Sequence, residues 1–141
     1  MKRNVYGALM LLAAALMISV PMVQAQSRVK ADVPFAFSVD KQSMSAGNYE
    51  ISALNDKVLE IRNLDTRQVR MLMKSQGVQA SKIQNAKLVF HKYDDQYFLS
   101  QIWNGSSDTG IEFATSRREK EMRMAGNSLS NGPELVIVAM K

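Results

Sequence analysis

The chain has no cysteine, one histidine, one tryptophan and three prolines in 141 residues. Each scarcity removes chemistry. Without cysteine there is no disulfide, no zinc–thiolate site, no thiol redox couple and no cysteine nucleophile. A lipid-modified N-terminal cysteine is excluded as well. With His91 the sole histidine, a serine triad has one possible base, and paired-histidine metal sites are ruled out. His91 stands beside Phe90 in an alternating stretch, the setting of an ordinary sheet histidine rather than a general base. Glycine-rich phosphate loops and EF-hand loops are also missing. Ser27 with Lys30 and Ser38 with Lys41 match a serine-x-x-lysine spacing, but the partner motifs of the penicillin-recognising enzymes are absent. Asp94-Asp95 are adjacent carboxylates in a turn and point apart into solvent. No catalytic or cofactor-binding residue can be named, so the chain reads as non-catalytic.

Charge of one sign is also scarce. The formal net charge is +5, and Lys2 and Arg3 lie in a segment expected to be removed, which leaves +3. That excess is too small to argue for nucleic acid as a partner.

The N-terminus is an export signal in its order of parts. Met1-Lys2-Arg3-Asn4 is a charged opening, Val5 to Val20 is apolar apart from Gly7 and Ser19, and Pro21 stops the helix. Val23-Gln24-Ala25 then supplies a small-residue cleavage site. The apolar run is about 16 residues against the ~20 needed to cross a bilayer core, which favours a cleaved signal over an anchor. Cleavage after Ala25 makes Gln26 the new terminus and leaves no stable membrane insertion. The expectation is a signal peptide over 1–25, a single β-rich domain over 26–141, and a periplasmic or extracellular location.

After Ala25 the dominant pattern is alternation. Val33, Phe35, Phe37 and Val39 define a first strand, with Pro34 confining it to an edge or a strand start. Ser43 to Gly47 reads as a loop, followed by a strand over Asn48–Ala53 with Tyr49 and Ile51 on one face. Asn55-Asp56 turns into Val58–Arg62, and Leu64-Asp65-Thr66 turns into Gln68–Lys74. In that last strand Val69, Met71 and Met73 share the apolar face. Ser75–Asn85 has no apolar period and reads as a long loop. Ala86–Tyr93 and Gln96–Trp103 form a hairpin around Asp94-Asp95. A two-residue loop pairs Phe90 with Leu99, Leu88 with Gln101 and Ala86 with Trp103. The opposite face carries Val89, His91, Phe98 and Ile102, so the hairpin is apolar on both sides and central.

Gly110–Ala114 has no clear type. Ser116-Arg117-Arg118-Glu119 is a capping box, with a helix running to Ala125 and Gly126 as its stop. Glu134–Met140 is an apolar strand that needs covering on both faces. Short, evenly spaced strands with one short C-terminal helix predict an all-β domain, a small antiparallel meander barrel or sandwich.

Val33-Pro34-Phe35-Ala36-Phe37, Ala46-Gly47-Asn48-Tyr49, Leu88 to Tyr93, Gln96 to Trp103 and Ser116 to Glu121 together carry a resemblance. Over most of residues 32 to 121 the chain resembles an uncharacterised family of small exported β-rich proteins common in acidobacteria. The resemblance implies export and a β-rich fold, and implies no activity. Met44 and Ser45 stand where that pattern has leucine and proline.

Three further clusters bear on function. Met71, Met73, His91 and Trp103, with Met122 and Met124 nearby in sequence, are the ligand types that soft Cu(I) prefers. Met71 and Met73 share a face with Val69, however, where core methionines belong. Met122 and Met124 lie about 200° apart on a helix and cannot both face one ion. No metal site is therefore assigned, and a copper-binding barrel stands as the alternative. Tyr97, Leu99 and Trp103 form an aromatic stripe that could line a ligand pocket or a glycan platform, or simply fill a core. Arg117, Lys120 and Arg123, interleaved with Glu119 and Glu121, read as a solvated helix face with Glu119 pairing to Arg123. The function expected is an exported β-domain that binds an envelope partner or ligand.

Overall fold

The computed structural model describes residues 28–125 and 132–141. The signal peptide 1–25 and the helix stop at Gly126 lie outside these residues. In chain order the elements are β1 (Arg28–Val33), β2 (Phe37–Val39), β3 (Gln42–Met44), β4 (Gly47–Ala53), β5 (Val58–Asn63) and β6 (Val69–Met73). There follow β7 (Gln76–Gln79), β8 (Lys87–Tyr93), β9 (Gln96–Trp103), β10 (Thr109–Glu112), α1 (Arg117–Ala125) and β11 (Glu134–Ala139). One sheet has the order β1-β4-β5-β6 and the other β11-β8-β9-β10-β7, with the β2–β3 hairpin attached to β9. Residues of both sheets share one core. The fold is all-β, and because neither sheet closes on itself it is a sandwich rather than a barrel. The sheets meet at one corner, where Ala31 bridges Met140 and the backbones of Lys30 and Lys141 exchange two hydrogen bonds of 2.9 Å.

The expected first strand is two strands. Val33, Phe37 and Val39 are all buried as the alternation requires, but β1 belongs to one sheet and β2 to the other. Pro34 has no amide proton to give a ladder, and Pro34 to Ala36 carry the chain across the sandwich. The stretch read as a loop after Val39 is instead a hairpin. Asp40 and Lys41 take φ of 43° and 67°, the left-handed pair of a type I′ turn, so Gln42–Met44 pairs back on β2 and Met44 is fully buried. The loop read over Ser75–Asn85 contains β7, an edge strand paired to β10, and the stretch around Gly110 is β10 itself.

The face assigned to β6 is reversed. Leu72 is buried, whereas Met71 and Met73 are 67% and 73% exposed. Arg70 shares the inward side with Leu72, where its Nη1 donates to the Val69 carbonyl at 2.9 Å and its Nε is buried without a partner. A charge turned inward on an edge strand discourages another strand from pairing there. On β11, too, the coverage expected on both faces is absent: Leu135 and Ile137 are about 60% exposed, while Val136 and Val138 pack on the core.

The central hairpin is the pairing that organises the core. Asp94, at φ 50°, opens the two-residue loop, and Phe90 pairs with Leu99 as expected. Between Val89 and Phe90 the register shifts, because Ser100 is an extra residue in β9. Beyond that bulge Leu88 pairs with Ile102 and Lys87 with Trp103, in place of Leu88 with Gln101 and Ala86 with Trp103. Ile102 thereby turns into the core with Leu88, Phe90 and Leu99, and Trp103 turns out of it. Phe90 is wholly buried, with the Phe35 and Phe37 rings edge-on to it at 5.1 and 5.2 Å.

Truncating Phe90 removes the ring that links β2, β8 and the preceding crossing segment. Phe90→Ala is expected to destabilise the domain by about 3–5 kcal/mol through lost burial and the cavity left. Urea unfolding of the mature chain measures this, and a loss below about 1 kcal/mol would mean the ring is not at the centre of the core.

Candidate functional site

A cleft opens where β9 changes neighbours. At Phe98 its partner is β2, through a parallel bridge to Ser38; at Gln101 and Ile102 its partner is β10. Between these two pairings the neighbouring strands diverge, and a crevice is left beside β9. The crevice widens into a cleft of about 430 Å³ between the β2–β3 hairpin and the first turn of α1. Phe98, itself buried, lies beneath it. Ser38, Lys41 and Ser43 line the hairpin side, and Ser116, Arg117, Arg118 and Glu121 line the helix side. A second hollow of about 260 Å³ lies on the other side of Ser38, Ser43 and Arg118, toward Tyr97.

The electrostatics of the cleft are cationic on balance. Arg117 is neutralised by Glu121 at 3.0 Å, an i,i+4 pair on the exposed helix surface. Among the described residues Lys41 and Arg118 have no acidic partner within ion-pair distance. No hydrogen bond links Ser38 to Lys41, although their serine-x-x-lysine spacing does place both on the cleft wall. Ser27 lies outside the described residues.

Ser116 is the N-cap of α1, with its Oγ accepting the Glu119 amide at 3.1 Å. The other half of the capping box does not form. Glu119 turns inward and is buried, and its carboxylate lies 2.6 Å from His91 Nδ1. The expected solvated pair of Glu119 with Arg123 is therefore replaced by a buried contact to the sheet. His91 is not an isolated sheet histidine: it faces outward from β8 and contacts the helix. The Tyr93 hydroxyl stands 3.5 Å from the same Glu119 oxygen, at the far limit of a hydrogen bond. Burial, reinforced by the negative Glu119, holds the Tyr93 phenol above its ordinary value against a smaller opposing effect of Arg123.

The soft-metal candidates are not brought together. Met71 and Met73 stand on the outer face of β6 in one sheet, and His91 stands on the opposite outer face, on β8 of the other. Trp103 is buried against Gly110, where an added Cβ would come within 2.6 Å of the indole, and its Nε1 donates to Gln101 at 3.0 Å. Met122 is half-buried and Met124 exposed on α1. Among the described residues no group of three or more His, Asp or Glu could hold a metal ion. The aromatic stripe is also divided: Tyr97 stacks on Phe35 and Leu99 is in the core, while the bulge sends Trp103 to the other face.

The sequence places Lys41 in a serine-x-x-lysine spacing and Arg118 and Glu119 in a capping box, but it does not show Lys41 and Arg118 meeting at a cleft or Glu119 turned onto His91. One signal was available for Glu119. A hairpin apolar on both sides needs a covering element, and a half-buried histidine on its outer face needs a polar partner from that element.

Comparison of the chain with protein-family models, with curated proteins and with solved structures gives no match. What the fold and the cleft define is a class: a small two-sheet β-sandwich with a helix-walled cationic cleft at a split in one sheet. No helix among the described residues is long and apolar enough to cross a membrane.

The raised phenol gives an alkaline prediction. With a folded-state value above the ordinary ~10, Tyr93 keeps its proton more tightly in the folded chain than in the unfolded one. Its contribution is fully present below about pH 10 and is lost as pH rises through the folded-state value. Tyr49, raised chiefly by burial, behaves in the same way. Phenolate absorbance should show two late-ionising tyrosines, and Tyr93→Phe should remove one of them. Ionisation of every tyrosine at the ordinary value would contradict the burial described.

Proposed function

We propose that this chain is an exported, non-catalytic β-sandwich that binds an envelope ligand or partner through the cleft between the β2–β3 hairpin and α1. We also propose kinship with the exported β-rich acidobacterial family its sequence resembles. The order of charged start, apolar run and small-residue exit in residues 1–25 supports export. The binding reading rests on one observation: an open cleft of about 430 Å³, over a closely packed Phe98, whose wall carries Lys41 and Arg118, neither with an acidic partner among the described residues. Cations on a cleft wall whose accessible surface is mainly apolar suit a ligand with a negatively charged group next to a hydrocarbon part.

Lys41 adds support from its backbone. The second position of a type I′ turn favours glycine, and a lysine there costs about 1 kcal/mol. The strained turn nonetheless places a long cationic side chain on the cleft wall.

The test uses dodecyl phosphate, below its micelle concentration, as the probe and amide resonances of the mature chain as the readout. Shifts are expected at Ser38, Lys41, Phe98 and Arg118, and dodecyl maltoside, which is neutral, should give none. Arg118→Glu should abolish binding without loss of stability. Lys41→Gly should weaken binding while raising stability by about 1 kcal/mol. Equal binding of the neutral detergent, or shifts confined to another face, would overturn the cleft as an anion-accepting site.

A further inference from the structure

Helix α1 is attached to the sandwich in an unusual way. Of its 9 residues only Glu119 is buried. Met122 is half-buried and Met124 is 78% exposed, so the helix has no apolar face of the kind that normally holds a surface helix to a sheet. A helix this short is marginal by itself. Its one buried side chain, the Glu119 carboxylate, is directed onto His91 Nδ1 at 2.6 Å. The groups around this contact are the Tyr93 hydroxyl from β8, Ser116 at the helix cap and Phe98 from β9. Arg123 on α1 acts on Tyr93 from the helix side.

We propose that the Glu119–His91 pair is a latch, and that α1 swings away from β8 and β9 as a unit when the pair is broken. Because Ser116, Arg117, Arg118 and Glu121 form one wall of the cleft, release of the latch opens it. This last consequence rests on the binding reading above, whereas the latch itself does not.

The burial on the two sides of the contact is unequal, and that makes the latch testable. The Glu119 side chain is 7% exposed and the His91 side chain 24%. Removing His91 strands a buried carboxylate, which must return to water, and the helix leaves with it. Removing Glu119 leaves an imidazole that water already reaches. His91→Ala therefore releases α1 more completely than Glu119→Ala, and the double variant behaves like Glu119→Ala alone. In Glu119→Gln the amide oxygen still accepts from an Nδ1–H, so this variant stays closest to the parent.

The experiment is limited trypsin digestion of the mature chain, without any ligand, followed with hydrogen exchange of its amides. Arg117, Arg118, Lys120 and Arg123 place cleavage sites along α1. Cleavage within α1 should accelerate about tenfold or more in His91→Ala, less in Glu119→Ala, and little in Glu119→Gln. Amides of β8 and β9 should keep their protection in all three. Unchanged cleavage in His91→Ala, or loss of strand protection in step with the helix, would overturn the latch. Either result is read without dodecyl phosphate, so a cleft that binds nothing leaves a distinct signature.

Discussion

The extra residue in β9, opposite the step from Val89 to Phe90, is the constraint on which the rest of this structure depends. One inserted residue reverses which side chains of β9 face inward beyond it. Below the bulge Leu99 meets Phe90 in the core, and above it Ile102 takes the inward place beside Leu88. The inner face is therefore continuous in aliphatic and aromatic surface across both halves of the hairpin. The outer face receives Val89, His91, Phe98 and Trp103, all but His91 buried. A hairpin with two such faces must be covered twice. The first sheet covers one side, and α1 and the chain around β10 cover parts of the other.

The candidate site is a consequence of that second cover. A helix whose only buried residue is an acid meets the strand face through one polar contact, and an open cleft remains beside it above the buried Phe98. The β2–β3 hairpin closes the other side through a single parallel bridge. The polar attachment of α1 and the openness of the cleft thus have a common cause. The helix is charged nearly all round, and its affinity for the sheet is concentrated in one contact.

Much of this was legible in the residues, for reasons that can be stated. The hairpin from Ala86 to Trp103 was visible because strong alternation flanks two turn-forming aspartates, and its central pair, Phe90 with Leu99, follows from loop length alone. Ser116 announced the helix start by its spacing to Glu119. The bulge was not legible, since a one-residue slip leaves no mark on composition. Strands β3 and β7 were missed because Gln42, Ser43, Gln76 and Gln79 are polar, and a strand held at an edge by backbone pairing needs no apolar alternation. On β6 the pattern misled: three apolar residues at Val69, Met71 and Met73 outvote Leu72, yet Leu72 is the one the core takes. Glu119 was read as solvated because charged residues on short helices usually are.

The central claim is that one bulge divides the β8–β9 hairpin into two registers, and nuclear Overhauser contacts across the hairpin test it most directly. Contacts of Phe90 with Leu99 together with contacts of Leu88 with Ile102 and Lys87 with Trp103 are the result this account predicts. An unbroken register, with Phe90 still opposite Leu99 but Leu88 opposite Gln101, would contradict it. Trp103 would then return to the inner face, Ile102 to the outer, and the description of the core, the helix and the cleft would fail together.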